Sequence, residues 1–454
     1  VLSKEPAMPR QNLIVFLLFT AIGFFAYKDC FTIFIPADNY SRLYSFEKGF
    51  VFGFNESIRG APYLIPFSMY YFFSSLFGII PSYWITVSLA LHVLNAFLVY
   101  IIAKQILSAL KIPRESISAF FAALIFLVSP YQTEDVLWVP ISFARPFHAC
   151  VTLVGIHFLI NYLLNPSPKK NIAIHFLFLL GLFSYELTIV SPFIYLILFV
   201  LFHILNASKL HSKKFFLRII APQLFFISVY FLACKLLSGH WFWHGGTFED
   251  ITQTSDYSKT LLKYFAKFFL LYRYLPVGQM DDLLRTLSGN NVTTTLLCFF
   301  ALTVSAFFFW KLIKTKKEYG CLLSALFLCF IISLLPVLPL DSSFLKNIYP
   351  DRYGYLSSVF YYLFLTASVF FLIRKIAVPV LIGYVVLCWI LLMKTIPVWN
   401  SANDYCNRLI ENYEPFLKYD RVYVLNIPSY YKGVIAFRSG FPEEVFFKHD
   451  KSPI

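Results

Sequence analysis

Long apolar runs separated by short polar segments dominate this chain. A transmembrane helix needs roughly 20 predominantly apolar residues, and about eleven stretches approach that length. They cover approximately residues 12–27, 82–103, 117–130, 143–164, 172–183, 187–205, a stretch ending near 237, and then 292–310, 321–340, 353–372 and 376–396. The pattern predicts an all-α polytopic membrane protein with about eleven transmembrane helices.

The polar segments between the runs predict an orientation, because Lys and Arg accumulate on the cytoplasmic side of a membrane. Lys4 and Arg10 precede the first run and predict a cytoplasmic N-terminus. With about eleven helices, the later basic clusters fall on that same side: Lys104, Lys111 and Arg114, then Lys169 and Lys170, Lys209 to Arg218, Lys311 to Lys317, and Arg374 with Lys375. Residues 397–454 are then expected outside.

The composition fits a membrane protein better than a nucleic-acid-binding protein. Of the 454 residues, 59% are hydrophobic, 20% are aromatic and 14% are charged, against about 25% charged in globular proteins. The formal net charge is +14, but the basic residues are dispersed between the runs and form no single patch. We therefore expect membrane lipid as a partner and no nucleic acid.

The runs imply one transmembrane domain over residues 1–396 and a small outer segment over 397–454. No small-residue cleavage pattern follows the first run, so we expect it to remain as an anchor. A long outer loop is expected over 28–81. In the tail, the alternating residues 421–428 predict a strand.

The histidines and cysteines give no metal-binding pattern. The eight cysteines include no CxxC pair. His92 and Asn95 share one helix face, and we interpret them as packing residues because no second ligand pair has suitable spacing. No metal or other cofactor is assigned, and dependence on a divalent metal stays open.

Asp38 directly follows the first apolar run. An acid at the mouth of a membrane span is costly beside lipid, so a functional site is the default interpretation. The predicted topology places many other polar residues on the same outer side: Arg42, Glu47, Arg59, Glu134, Asp135, Arg145, His148, Glu186, Asp341, Lys346, Asp351 and Arg352. One outward-facing site is the simplest hypothesis.

These residue types suit sugar transfer from a lipid-phosphate donor. The attacking hydroxyl must lose a proton, and Asp38 is the candidate general base. The departing phosphate gathers negative charge that cationic side chains stabilise. Candidates for that role are Arg352, Arg145, Arg59 and Lys346, and candidates for the remaining pocket are Arg42, Glu134, Glu186, Tyr353 and His148.

Several of these residues have structural alternatives. Asp38 and Arg42 are one helical turn apart and can form a modest surface pair. Glu186 can be a structural acid hydrogen-bonded between helices. Arg352 can anchor a helix end at the interface, with its charge reaching the headgroups. Glu134 can cap a helix.

Four segments, in the same order along the chain, resemble motifs of polytopic glycosyltransferases with the GT-C fold. They are residues 91–100 (LHVLNAFLVY), 129–138 (SPYQTEDVLW), 184–186 (SYE) and 351–358 (DRYGYLSS). The segments are most similar to the membrane domain of tetratricopeptide-bearing O-mannosyltransferases and their bacterial relatives. No tetratricopeptide repeats follow them here.

The resemblance implies a GT-C-like bundle that acts as an inverting glycosyltransferase in a bacterial inner membrane, with a periplasmic C-terminus. Its donor would be a polyprenyl-phosphate-linked sugar, its acceptor a glycan or protein hydroxyl, and its base Asp38. Ala37 and Asn39 replace the family's paired acid, and Ser129 and Gln132 replace two histidines. Two alternatives follow: a transporter or flippase of a lipid-linked saccharide, and a catalytically silent subunit of an envelope complex with membrane partners.

Overall fold

A computed structural model describes residues 10–35, 37–51, 53, 55, 63–239, 241, 257–274, 291–339, 351–416, 418, 427–437 and 445. The α-helices are α1 (Arg10–Ala26), α2 (Ala37–Glu47), α3 (Leu64–Phe77), α4 (Pro81–Ala109), α5 (Glu115–Val128), α6 (Thr133–Leu137), α7 (Val139–Leu164), α8 (Pro168–Leu182), α9 (Ser191–Ile204), α10 (Ser212–Phe215), α11 (Ala221–Ser238), α12 (Tyr257–Leu270), α13 (Asn291–Thr315), α14 (Lys317–Leu334), α15 (Tyr355–Leu372) and α16 (Ala377–Glu411). A π-helical turn, Phe216–Ile220, joins α10 to α11.

Short 3₁₀ turns precede or extend several helices. They are Lys28–Cys30, Pro130–Gln132, Glu186–Val190, Tyr272–Tyr274, Leu335–Val337, Asp351–Gly354 and Glu414–Phe416. The strands β1 (Tyr430–Tyr431) and β2 (Val434–Ile435) form an antiparallel hairpin.

The predicted all-α polytopic membrane architecture is confirmed. Among the described residues, eight segments are long and apolar enough to cross a membrane, or nine if one bent pair counts as a span. The predicted total of about eleven is not confirmed. Helices α1 and α8 contain 17 and 15 residues, which is short of the roughly 20 needed to span a bilayer.

Helices α4 and α15 each pack against both α5 and α7, and these four helices form the centre of the bundle. Asn95 on α4 donates hydrogen bonds to the Pro146 carbonyl at 2.8 Å and to the Tyr355 hydroxyl at 3.0 Å. The ring nitrogens of His92 lie 2.9 Å from the Tyr355 hydroxyl and 3.1 Å from the Leu127 carbonyl. Both side chains therefore join helices, which agrees with their interpretation as packing residues.

The predicted third span, residues 117–130, corresponds to α5, and a second helical segment follows it directly, so that the two segments together form a broken span. Helix α5 ends at Val128, and the segment Pro130–Leu137 leaves at an angle of 54°. Pro130 lacks an N–H and disfavours a helical conformation at Ser129, whose ψ is 129°. The Ser129 hydroxyl accepts a hydrogen bond from the Tyr131 N–H at 3.3 Å. Broken helices are tolerated at membrane depth where protein buries them, and this segment is buried.

Helix α16 is longer than predicted and continues past residue 396 to Glu411. Its extension holds the segment between α1 and α2. The Asn403 side-chain oxygen accepts a hydrogen bond from the Phe34 N–H at 2.9 Å, and the Asn400 amide donates to the Asp29 carbonyl at 3.2 Å. The last helix therefore fixes the chain that leads into α2.

Part of the tail packs on this extension. Lys432 and Gly433 connect the two strands with φ values of 49° and 84°, the left-handed conformations that two-residue hairpin turns require. The Tyr431 ring stacks on Tyr405 of α16 at 4.7 Å. The strand predicted over residues 421–428 lies mostly outside the described residues.

Candidate functional site

The broken span and the turn before α15 meet through a buried ion pair. Glu134 Oε1 accepts a hydrogen bond from Arg352 Nη1 at 2.6 Å. Glu134 Oε2 accepts one from the Arg352 backbone N–H at 2.7 Å. The Glu134 side chain is 1% exposed, and that of Arg352 is 3% exposed. Charge-assisted bonds of this length are strong, so the pair fixes the broken span against α15.

Two neighbouring contacts extend the same junction. Gln132 Nε2 donates to the Ser358 hydroxyl at 2.8 Å, and the Ser129 hydroxyl lies 2.6 Å from the Tyr362 hydroxyl. The Ser129 and Gln132 side chains therefore serve as interhelical hydrogen-bonding groups.

Asp351 lies beside Arg352 and forms ion pairs with Lys267 and Arg273. The segment that contains both cations therefore packs against the turn before α15. Burial lowers the pKa of the Lys267 ammonium from its ordinary value, and the charge of Asp351 opposes that shift. Both cations also lie over the Tyr131 ring, at 5.4 Å and 5.1 Å from its centroid.

Sequence reasoning missed Lys267 and Arg273. A signal for Lys267 was present, because it lies on the apolar face of α12 with the buried residues Tyr264 and Phe268. A lysine at such a position needs a buried acid. The sequence did not indicate which of the acids would supply it.

Arg145, near the start of α7, lies between two tyrosine rings. Its Nε and Nη2 donate to the Tyr185 hydroxyl at 3.0 Å and 2.8 Å. Its guanidinium carbon lies 4.9 Å from the Tyr185 ring centroid and 4.7 Å from that of Tyr353. The side chain is buried, its Nη1 has no hydrogen-bond partner, and it forms no ion pair with a described residue. Arg145 therefore keeps a charged donor available inside the bundle.

Tyr353 joins Arg145 to the Glu134–Arg352 pair. Its hydroxyl accepts a hydrogen bond from Arg352 Nη2 at 3.1 Å, and its ring centroid lies 4.7 Å from the guanidinium carbon of Arg352. Two guanidinium groups thus contact one ring and lie about 10 Å or less apart. Glu134 compensates the Arg352 charge, so an anion bound here would be attracted chiefly by Arg145.

Glu186 and His148 lie on the other side of Tyr185. The Tyr63 hydroxyl hydrogen-bonds Glu186, and the Tyr63 ring packs 5.5 Å from that of Tyr185. Burial and the Glu186 charge raise the pKa of the Tyr63 hydroxyl. Glu186 Oε2 and His148 Nε2 have no hydrogen-bond partner. Both groups therefore present polar atoms without a hydrogen-bond partner near Tyr185.

Helix α2, which contains Asp38, packs against α3 and against the Arg145-bearing α7. Tyr40, Leu43 and Phe46 form its buried side. The Arg42 guanidinium lies 4.7 Å from the Phe67 ring centroid on α3. Asp38 thus lies one helical turn before Arg42, whose side chain contacts α3.

Some predicted site residues lie outside the structural description. Arg59 and Lys346 lie outside the described residues, and for Asp38 only its place in α2 is described. Within the described ranges, no group of three or more His, Cys, Asp or Glu side chains could hold a metal ion. The described part of the site therefore combines arginines, carboxylates and tyrosines.

No protein-family model, curated protein or solved structure matches this chain.

Proposed function

We propose that the protein is an inverting glycosyltransferase of the GT-C type. It moves a sugar from a polyprenyl-phosphate donor to an acceptor hydroxyl at the outer face of the membrane. The observation that carries this proposal is the buried Arg145, whose Nη1 lacks an acceptor between the Tyr185 and Tyr353 rings. The four motif resemblances supply the reaction class.

The donor phosphate binds at Arg145. Leaving a buried charged donor unsatisfied is costly, and a phosphate oxygen supplies both the acceptor and the opposite charge. Arg352 contributes electrostatic attraction and no hydrogen bond from its two terminal nitrogens, because Nη1 and Nη2 already donate to Glu134 and Tyr353. Arg145 is therefore the principal phosphate ligand, and the Glu134–Arg352 pair supports it.

Asp38 acts as the general base. The acceptor oxygen attacks the anomeric carbon, its proton passes to the Asp38 carboxylate, and the bond from the anomeric carbon to the phosphate oxygen breaks. The electron pair remains on that oxygen, where Arg145 stabilises the developing charge. The packing of α2, which contains Asp38, against α7, which contains Arg145, supports this assignment.

The remaining polar groups suit the reacting sugars. Glu186 Oε2 and His148 Nε2 are unpaired atoms near Tyr185, and carboxylate and imidazole groups bind sugar hydroxyls. Arg42 lies on the same helix as Asp38 and packs on Phe67. These residues are proposed to orient the acceptor, which is a glycan or a protein.

Binding of polyprenyl phosphate, the leaving group, tests the phosphate site without knowledge of the sugar. Protein in nanodiscs is titrated with this lipid as wild type, Arg145→Gln and Arg145→Lys. We expect Arg145→Gln to weaken binding about ten- to a hundredfold, the usual effect of losing a charged hydrogen bond. Arg145→Lys should weaken it less, because it keeps the charge.

Arg114→Gln is the matched control. Arg114 is exposed, and within the described residues its side chain donates a hydrogen bond only to the Arg374 carbonyl. It should bind polyprenyl phosphate like wild type. Equal affinity of the wild type and Arg145→Gln would remove Arg145 from the phosphate site and with it the main support for the proposal.

The broken span favours a second candidate function, transport of a lipid-linked saccharide. Discontinuous helices often form substrate sites in transporters, and α5 and the segment Pro130–Leu137 meet at 54°. Proteoliposomes separate the two functions. A transporter moves intact polyprenyl-phosphate sugar between leaflets, whereas a glycosyltransferase converts it to polyprenyl phosphate and a new glycoside.

A further inference from the structure

Four aromatic residues with polar groups lie in the part of the bundle where the broken span approaches α16. The polar aromatic cluster consists of Tyr27, Tyr131, Tyr274 and Trp399. The Tyr131 and Tyr274 ring centroids are 6.1 Å apart, and the Tyr274 hydroxyl lies 2.8 Å from the Thr395 hydroxyl on α16. Trp399 follows Thr395 by one helical turn and shares its face.

Tyr27 closes the cluster from the end of α1. Its side chain is fully buried, and its hydroxyl interacts electrostatically with Asp135 and Tyr274. Asp135 also interacts electrostatically with Arg145. Asp135 directly follows Glu134 in α6, so this acid lies next to the Glu134–Arg352 pair.

Three of the four aromatic residues have donor groups with no hydrogen-bond partner. They are the Tyr27 hydroxyl, the Tyr131 hydroxyl and Trp399 Nε1. The side chains of these residues are 0%, 2% and 0% exposed, respectively. Buried polar groups are hydrogen-bonded in roughly nine cases out of ten. Three neighbouring exceptions beside a candidate site point to a ligand that supplies acceptors.

We infer that the polar aromatic cluster binds a saccharide unit. The unpaired hydroxyl and indole donors suit the ring oxygen and hydroxyl groups of a pyranose. Asp135 supplies an acceptor for a sugar hydroxyl. This inference rests on the proposed function and adds to it the location of a sugar next to the phosphate.

Tyr131→Phe and Trp399→Phe test the inference, because each removes a donor and keeps an aromatic ring. A buried hydroxyl with no partner in the protein is lost without penalty, so Tyr131→Phe should not lower the melting temperature. Trp399→Phe also removes ring volume from a buried position and should lower the melting temperature through the cavity it leaves, so its sugar binding is compared with its own binding of the bare lipid. Tyr362→Phe is the control. It removes a hydroxyl that Ser129 already bonds at 2.6 Å, and it should lower the melting temperature without changing sugar binding.

The measurement compares two kinds of ligand in nanodiscs. One kind is polyprenyl phosphate, bare or linked to mannose, glucose, galactose or N-acetylglucosamine. The other kind is the four free sugars at millimolar concentration. The sugar increment is the ratio of the affinity for a glycosylated lipid to that for the bare lipid. We expect Tyr131→Phe to reduce this increment about five- to tenfold and to leave the affinity for the bare lipid unchanged.

The two ligand kinds distinguish a donor sugar from an acceptor sugar. Loss of the increment assigns the cluster to the donor, and loss of free-sugar binding with an intact increment assigns it to the acceptor. Both results support the inference. An unchanged increment and unchanged free-sugar binding in both Phe variants would overturn it, even if Arg145→Gln still weakened binding of the bare lipid. Insensitivity of the bare lipid to Arg145→Gln would instead contradict the proposed function.

Discussion

The carboxylate of Glu134 binds both the backbone N–H and the guanidinium of Arg352, at 2.7 Å and 2.6 Å. Two residues 218 positions apart in the chain thereby fix a broken membrane span against the start of α15. Removing one partner of such a buried pair leaves an uncompensated charge, whereas replacing both with apolar residues is much less harmful.

The first prediction concerns this pair. Glu134→Leu should destabilise the protein by roughly 3–5 kcal/mol, because it leaves the Arg352 charge buried without its acid. The double variant Glu134→Leu/Arg352→Met should recover much of that loss. Thermal unfolding in detergent measures both. A double variant less stable than the single one would show that the pair does more than satisfy its own charges.

The second prediction concerns Asp351, which binds Lys267 and Arg273. Asp351→Asn leaves both cations without their acid, so the segment 257–274 should detach from the turn before α15. Hydrogen exchange across α12 should become faster. Asp404→Asn is the control, because Asp404 is exposed on α16, and it should leave the exchange rates unchanged. Equal protection of α12 in all three proteins would refute the role of Asp351.

The third prediction concerns Asn403, whose side-chain oxygen accepts a hydrogen bond from the Phe34 N–H. Phe34 lies four residues before Asp38. Asn403→Ala should release residues 29–35 and displace the proposed base. The transfer rate should fall about ten- to a hundredfold, since small misplacements of a catalytic group are costly. Polyprenyl phosphate binding should not change.

Asn400→Ala is the comparison for Asn403, because the Asn400 bond to Asp29 is longer and more exposed. It should reduce transfer less. Hydrogen exchange of residues 29–35 reports the same effect independently of activity. Unaltered exchange in Asn403→Ala would contradict a positioning role.

The fourth prediction concerns the α13–α14 turn. A Cβ at Gly320 would lie 2.5 Å from the Ile313 backbone nitrogen, and that backbone cannot move aside as a side chain would. Gly320→Ala should therefore lower the melting temperature. Gly383→Ala meets no atom within 4 Å and should be neutral or stabilise its helix by up to about 1 kcal/mol. Similar melting temperatures for the two variants would disprove the close approach.

The sequence predicted the location of the helices well, because apolar runs and membrane thickness constrain them strongly. It also predicted that Arg145 and Arg352 belong to one site, and both guanidinium groups contact the Tyr353 ring; their side of the membrane stays a prediction. It did not predict their partners. The pairing of Asp351 with Lys267, and of Arg145 with Tyr185, depends on packing between segments that are distant in the chain.

The broken third span and the long last helix were also missed. Both depend on local features that hydrophobicity does not report. The apolar run ends at residue 130, as predicted, but a second helical segment, Pro130–Leu137, follows it and contains the polar residues Gln132 to Asp135. Helix α16 likewise continues into a polar stretch where the 29–35 segment and the tail hairpin pack on it. Tertiary contacts stabilise that extension more than its own composition does.

Transfer by the wild type and by Asp38→Asn is the most direct test of the proposed reaction. Purified protein in nanodiscs is supplied with polyprenyl phosphate linked to each of several sugars, and release of polyprenyl phosphate is followed with a glycan or peptide acceptor. The wild type should transfer at least one sugar. Asp38→Asn should bind polyprenyl phosphate like the wild type. Its rate of sugar transfer should fall at least about a hundredfold, the usual loss when a general base is removed. Full activity of Asp38→Asn, or no transfer by the wild type from any donor, would contradict the proposed function.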